Sequence, residues 1–181
     1  MSILSVYQDN APEQPLKVLT HLEDIASTLA DVGISIERWA TGVSTRAGAS
    51  AEEVIAAYQP EIDRLMNDRG YVTVEVICVS KYYPPKAELT ARFLEEHSYA
   101  GDEARLFVVG RGLLMLHIDD KVYAVLCERH ELISVPAGTR HWFDMGEEPH
   151  IVAVRLFNKP DRCQPEFTGD DIAGRFPRLD D

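Results

Sequence analysis

The chain is short of cysteine, of basic residues and of long apolar runs, and each shortage narrows what it can be. Of 181 residues only Cys78, Cys127 and Cys163 are cysteine. An odd set without C-x-x-C spacing argues against a disulfide framework and against a thiolate zinc site. Eighteen Lys and Arg stand against 30 Asp and Glu, for a net charge of -12. Phosphate-rich partners would be repelled, which argues against nucleic acid and anionic membrane surfaces. No apolar run approaches the roughly 20 residues that cross a bilayer. The opening MSILSVYQDNAPEQP has neither a basic n-region nor a long apolar h-region, so a reducing cytoplasm is the expected location. Repeats, low-complexity tracts and domain-splitting linkers are also lacking.

What is present is one domain's worth of apolar residue, 45% of the chain, enough for a real core. The first 70 residues read as a short strand (ILSVY), then helices with one apolar face each. Thr20 and Glu23, and again Ser50 and Glu53, have capping-box spacing. Pro60 interrupts the second helical face, which predicts a kink or two short helices. GISIERW between the helical stretches reads as another short strand. From residue 71 the pattern changes to short β-branched runs: YVTVEVICVS, LTARFLEEH, EARLFVVG, LLMLHID, VYAVLCE, ELISVP and HIVAVRLF. The YYPPK stretch between the first two reads as a turn or edge. Asp119-Asp120 is a candidate hairpin turn, and Gly110 and Gly112 mark another. Many short strands at close spacing indicate a sandwich or barrel. The division expected is a helical part over 1–70, a β-barrel over 71–160 and a polar surface tail over 161–181, all in one domain.

Chemistry concentrates between His97 and His141. Strand alternation puts Glu103, Arg105 and Phe107 on one face and Ala104, Leu106 and Val108 on the other. A carboxylate and a guanidinium on an inner face need partners. A metal ion would answer for Glu103 and an anionic substrate for Arg105. A mutual salt bridge, or an outward wet face, would answer for both. His97 precedes Glu103 across the turn-prone SYAGD, and His141 follows the tight turn PAGTR. Two imidazoles and a carboxylate form a set that suits non-haem Fe(II) and leaves positions open. His117, on an apolar strand, and His21, His130 and His150 read as structural.

The spacing resembles the two cupin motifs, H-x-H-x3-E-x6-G and P-x-G-x2-H. The first is matched by His97, Glu103 and Gly110, and the second by Pro136, Gly138 and His141. DEARLFVVGRG, VPAGTRHWFDMG, RLFNKP and EFTGDDIAGRFPRL narrow the resemblance to the acireductone dioxygenases of methionine salvage. That resemblance implies a mostly β fold, a cupin (double-stranded β-helix or jelly-roll) barrel with N-terminal helices packed outside it. It implies one Fe(II) or Ni(II) per chain and cleavage of a methylthio-bearing ene-diol by O2. The iron form yields formate and the keto acid before methionine; the nickel form of some relatives yields carbon monoxide, formate and a shorter acid. A monomer is the family expectation. In the family three His and one Glu hold the metal. His97, Glu103 and His141 occupy three of those positions, but the fourth is Tyr99, expected as a distant ligand or a hydrogen-bonding neighbour. Arg105 matches the family's arginine beside the substrate, with Tyr99 its candidate catalytic companion. Leu106 and Cys163 stand where relatives often carry Phe and Trp. These departures imply an altered metal, an altered substrate or lost activity. Two other readings follow from them: a cupin that binds a small molecule without turnover, or a metal-free isomerase or epimerase using His and Tyr as base and acid.

Overall fold

The computed structural model describes residues 2–39, 45, 48–80, 87–160 and 164–181. Twelve strands, four helices and a terminal 3-10 turn follow in the order β1 (Ile3–Gln8), β2 (Lys17–Leu19), α1 (Leu22–Ala30), β3 (Ser35–Arg38), α2 (Ala51–Ala57), α3 (Gln59–Arg69), β4 (Thr73–Val79), α4 (Ala87–Leu94), β5 (His97–Ser98), β6 (Glu103–Val109), β7 (Arg111–Ile118), β8 (Lys121–Glu128), β9 (Glu131–Val135), β10 (Arg140–Asp144), β11 (Ile151–Phe157), β12 (Glu166–Phe167) and the turn Ile172–Arg175. They form two antiparallel sheets, ordered β12-β5-β10-β7-β8-β1-β2 and β3-β9-β6-β11-β4. None of the described helices is long and apolar enough to cross a membrane.

Alternation along the strands sorts side chains into three apolar layers. Between the sheets lie Leu4, Val6, Ile77, Phe107, Leu114, Leu116, Val125, Ile133, Phe143 and Ala153, with Ile25 and Leu29 of α1. Behind the smaller sheet, Ala104, Leu106, Val108, Val152 and Val154 pack under Val54, Tyr58, Ile62 and Leu65 of α2 and α3. Behind the larger sheet, Met115, Val122 and Trp142 meet Tyr7, Ile172 and Phe176. The split predicted for β6 holds: Phe107 joins the interior, and Ala104, Leu106 and Val108 face the helices.

Several local readings follow the chemistry of their residues. Ser50 caps α2 by accepting from the Glu53 amide at 3.1 Å, and Pro60 falls in the first turn of a separate α3, where its missing N–H costs nothing. Asp119 turns the β7–β8 hairpin with φ of 55°. Others need correction. LTARFLEEH is not a strand: residues 87–94 form α4, whose register gives an amphipathic helix rather than a period of two. Thr20 does not cap α1; the N-cap is His21, without a side-chain cap bond. The tail is not wholly superficial, since Ile172, Ala173 and Phe176 are buried against the larger sheet. The structure adds two short strands to those expected, β2 and β12. YYPPK, Cys163 and most of the loop ATGVSTRAGAS lie outside the described residues.

Candidate metal centre

His97 and His141 are brought together by strand pairing. They are opposed residues of β5 and β10, with ring centroids 4.5 Å apart. Gly138, at φ of 79°, makes the turn that starts β10; its amide donates to the Tyr99 carbonyl at 2.9 Å, tying the two loops. Each imidazole is oriented from its far side. The Nδ1 of His97 lies 2.6 Å from the Glu95 carbonyl, and that of His141 lies 2.8 Å from the Thr139 carbonyl. A carbonyl only accepts, so each Nδ1 carries the proton and each Nε2 keeps a lone pair. The Nε2 of His141 is buried with no partner. Burial holds both rings neutral: His97 is lowered from its ordinary pKa, and His141 is lowered to about 3.

Glu103, at the start of β6, is the third donor. Burial alone would protonate it, but the Arg105 and Arg155 guanidiniums outweigh that and bring its pKa down to about 2. Its oxygens are taken by cations: Arg105 Nη2 at 2.7 Å and Arg155 Nη2 at 2.9 Å. Of the readings the sequence left open for this face, the mutual salt bridge is present, and the outward wet face is not, since Glu103 and Arg105 are buried. Among the described residues, no three His, Cys, Asp or Glu side chains are gathered tightly enough to hold an ion as they stand. The chemistry of the set nonetheless fits one: two neutral imidazoles each protonated at Nδ1, the Nε2 of His141 without a partner, beside an ionised carboxylate.

Arg155 escaped the sequence reading. It lies on β11 directly opposite Arg105, and the available signal was a lone arginine in the apolar run HIVAVRLF. A bulge between Val152 and Ala153 shifts the β11–β6 register; without it Arg155 would oppose Leu106. Its Nη1 also reaches Glu75 at 3.0 Å, and its Cζ lies 4.9 Å from the Phe157 ring centroid and 5.1 Å from that of Tyr99. Arg105 is 1% exposed. Its Cζ sits 4.7 Å over the Phe143 ring, and its Nε and Nη1 have no hydrogen-bond partner. Unpartnered guanidinium donors in a dry interior suit an anion.

Tyr99 is buried between these groups, its ring centroid 5.2 Å from that of His97 and 5.5 Å from that of His141. His117 belongs elsewhere: its Nδ1 is 2.6 Å from the buried Glu96 carboxylate, which also accepts from Thr168 at 2.7 Å. That structural role agrees with the sequence reading.

Known proteins share this arrangement of chain. The ARD/ARD' family model matches residues 3–165. The chain belongs to the ARD/ARD' family. Its full length aligns with the acireductone dioxygenases of Stutzerimonas stutzeri, at 67% identity, and Pseudomonas aeruginosa, at 64%, each covered completely. Among solved structures, acireductone dioxygenase from Bacillus anthracis, with a cadmium ion in its active centre, superposes with a TM-score of 0.78 at 25% identity, covering 92% of this chain and 98% of that one. The ARD/ARD' fold is thus the cupin-type, mostly β barrel that the motifs implied.

Proposed function

We propose that this ARD/ARD' protein is a metal-dependent acireductone dioxygenase, cleaving a methylthio-bearing ene-diol with O2 in methionine salvage. The observation that carries the reading is the pair of opposed imidazoles, each with Nδ1 tied to a carbonyl, beside a carboxylate kept ionised. His97, His141 and Glu103 would hold one Fe(II) or Ni(II), with Tyr99 at the fourth position of the family pattern. When bound, the ion supplies a Lewis acid and template for the ene-diol oxygens and leaves open positions.

The chain's own residues do the rest. Arg105 has two unpartnered nitrogens with which to bind an ene-diolate oxygen, and a charge to favour the deprotonated substrate. Arg155 adds a second cation on the same wall. Apolar neighbours, Phe107 and Phe143 among them, keep water out and raise the strength of both charges. The substrate is a small organic anion with O2 as co-substrate. A net charge of -12 argues against nucleic-acid and anionic-membrane partners, and the reading includes a cytoplasmic monomer. The test is metal analysis of protein purified without chelator, followed by oxygen uptake with an acireductone after loading with Fe(II) or Ni(II). Uptake that follows metal occupancy is expected. Turnover that survives a chelator would instead support a metal-free reaction using His and Tyr.

A further inference from the structure

His97 stands on a strand with little ladder of its own. β5 is two residues long. It meets β10 at one position, His97 opposite His141, and β12 at two. So short a ladder leaves register to the side chains. The residue before it, Glu96, is buried and supplies what the backbone lacks. Side chains alternate, so Glu96 points away from His97, to the outer face of the larger sheet. On that face His117 of β7 presents its Nδ1 2.6 Å from Glu96 Oε2. Strand order puts β10 between β5 and β7. Leu116, opposed to His141, lies in the interior layer, whereas Met115 and Trp142 lie in the outer one. The Glu96–His117 bond therefore passes behind β10, on the side opposite the imidazoles. It joins the strand of one imidazole to the strand beyond the other.

Both ends of this bond are themselves anchored. Glu96 Oε1 accepts from Thr168 Oγ1 at 2.7 Å, and the Glu96 carbonyl accepts from the Thr168 amide at 3.2 Å. His117 Nε2 lies 3.3 Å from Asp9 Oδ2, just past the end of β1. A buried carboxylate is costly unless its bonds are complete, and here both oxygens are used. The Glu95 carbonyl that accepts from His97 Nδ1 at 2.6 Å belongs to the peptide that Glu96 completes. Moving Glu96 would thus move both His97 and the group that orients it.

We propose that Glu96 and His117 are positioning residues for the imidazole pair: their bond behind β10 fixes β5 against β10 and sets how His97 faces His141. Neither touches the ion. The inference rests on the metal-centre reading above, and extends the centre to a support on the far face of the sheet.

The test uses the whole protein and Co(II), titrated in competition with a chelator, for wild type, His117→Leu, His117→Asn and Glu96→Gln. Asn offers an N–H near the place of Nδ1, and Gln keeps an oxygen that accepts from His117. His117→Leu is expected to weaken Co(II) binding about tenfold, the scale seen when a group supporting a metal ligand is lost. The visible bands of its bound Co(II), which report ligand geometry, are expected to shift. His117→Asn and Glu96→Gln are expected to keep most of the wild-type affinity and its bands. The double variant Glu96→Gln/His117→Leu removes the charge that His117→Leu leaves unpaired in the interior, so it reads the same loss where the single variant does not fold. A folded protein lacking the bond but with wild-type Co(II) affinity and bands overturns the inference, even if its unfolding midpoint falls. Equal losses in the conservative variants overturn it too. A wild type that binds no Co(II) instead fails the metal-centre reading and takes this inference with it.

Discussion

Arg105 and Arg155 face each other across β6 and β11 and divide one carboxylate, Glu103, between them. Like charges in direct register repel, so the pair persists only because Glu103 lies between the guanidiniums and Glu75 takes a further Arg155 nitrogen. The arrangement stores positive charge on a dry wall.

Arg155→Met should therefore act on both stability and binding. It leaves Glu103 with one cation instead of two. Breaking a buried ion pair outright costs about 3–5 kcal/mol; with Arg105 still in place, roughly 2 kcal/mol is expected. Urea unfolding of the metal-free protein measures this, and a loss below about 0.5 kcal/mol would mean that Arg155 is not part of a coupled network. KM for the acireductone should rise in the same variant.

Acid should unfold the metal-free protein in two stages. His97 and His141 are depressed from the ordinary imidazole value of 6.5, His141 to about 3. The unfolded chain takes up protons first, so the stability these rings confer is whole above pH 6.5 and drains as pH falls towards 3. Glu103, lowered from 4.5 to about 2, adds a second loss below pH 4.5. Denaturation midpoints measured against pH should show that His141→Gln flattens the limb between 6.5 and 4.5. Identical slopes in the two proteins would refute this.

Gly112→Ala should disturb the wall beneath Arg105. A Cβ at Gly112 would meet the Phe143 ring at 2.3 Å, and Phe143 is the ring under the Arg105 guanidinium. Overpacking of this kind costs about 1–3 kcal/mol. A fall in thermal midpoint together with weaker substrate binding is expected; a variant that loses neither would show that Phe143 can move freely.

The helix caps offer a paired control. Ser50→Ala removes a side chain that accepts from the Glu53 amide and should cost about 1 kcal/mol. Thr20→Ala removes no cap, because α1 starts from His21 without a side-chain bond. Equal losses from both substitutions in chemical denaturation would contradict this assignment.

Much of the barrel was legible because short β-branched runs and punctuating turns are local signals. The sorting of β6 into two faces followed from alternation, though not which of them is inward, and motif spacing singled out His97 and His141, which pair across β5 and β10. The capping boxes show the limit of spacing: Ser50 and Thr20 have the same pattern, yet only Ser50 bonds, because the chain reaches α1 one residue later than the pattern implies. Residues 87–94 misled for another reason, since a short apolar run carries no clear period until its neighbours pack. Arg155 stayed hidden because its role depends on a bulge that moves β11 by one residue against β6. No run of letters within one strand reveals which residue the next strand will set opposite.

Strand β10 presents the His141 imidazole near one end and buries Asp144 at the other, where Arg178 Nε and the Leu179 amide both donate to it at 2.8 Å. The closing residues thus serve as a latch on the strand that carries an imidazole. A protease cut just ahead of Arg178 would strand a sealed-in carboxylate without its cation. The damage would be felt along β10, far from the cut, and limited digestion would register as lost metal affinity before it registered as lost fold.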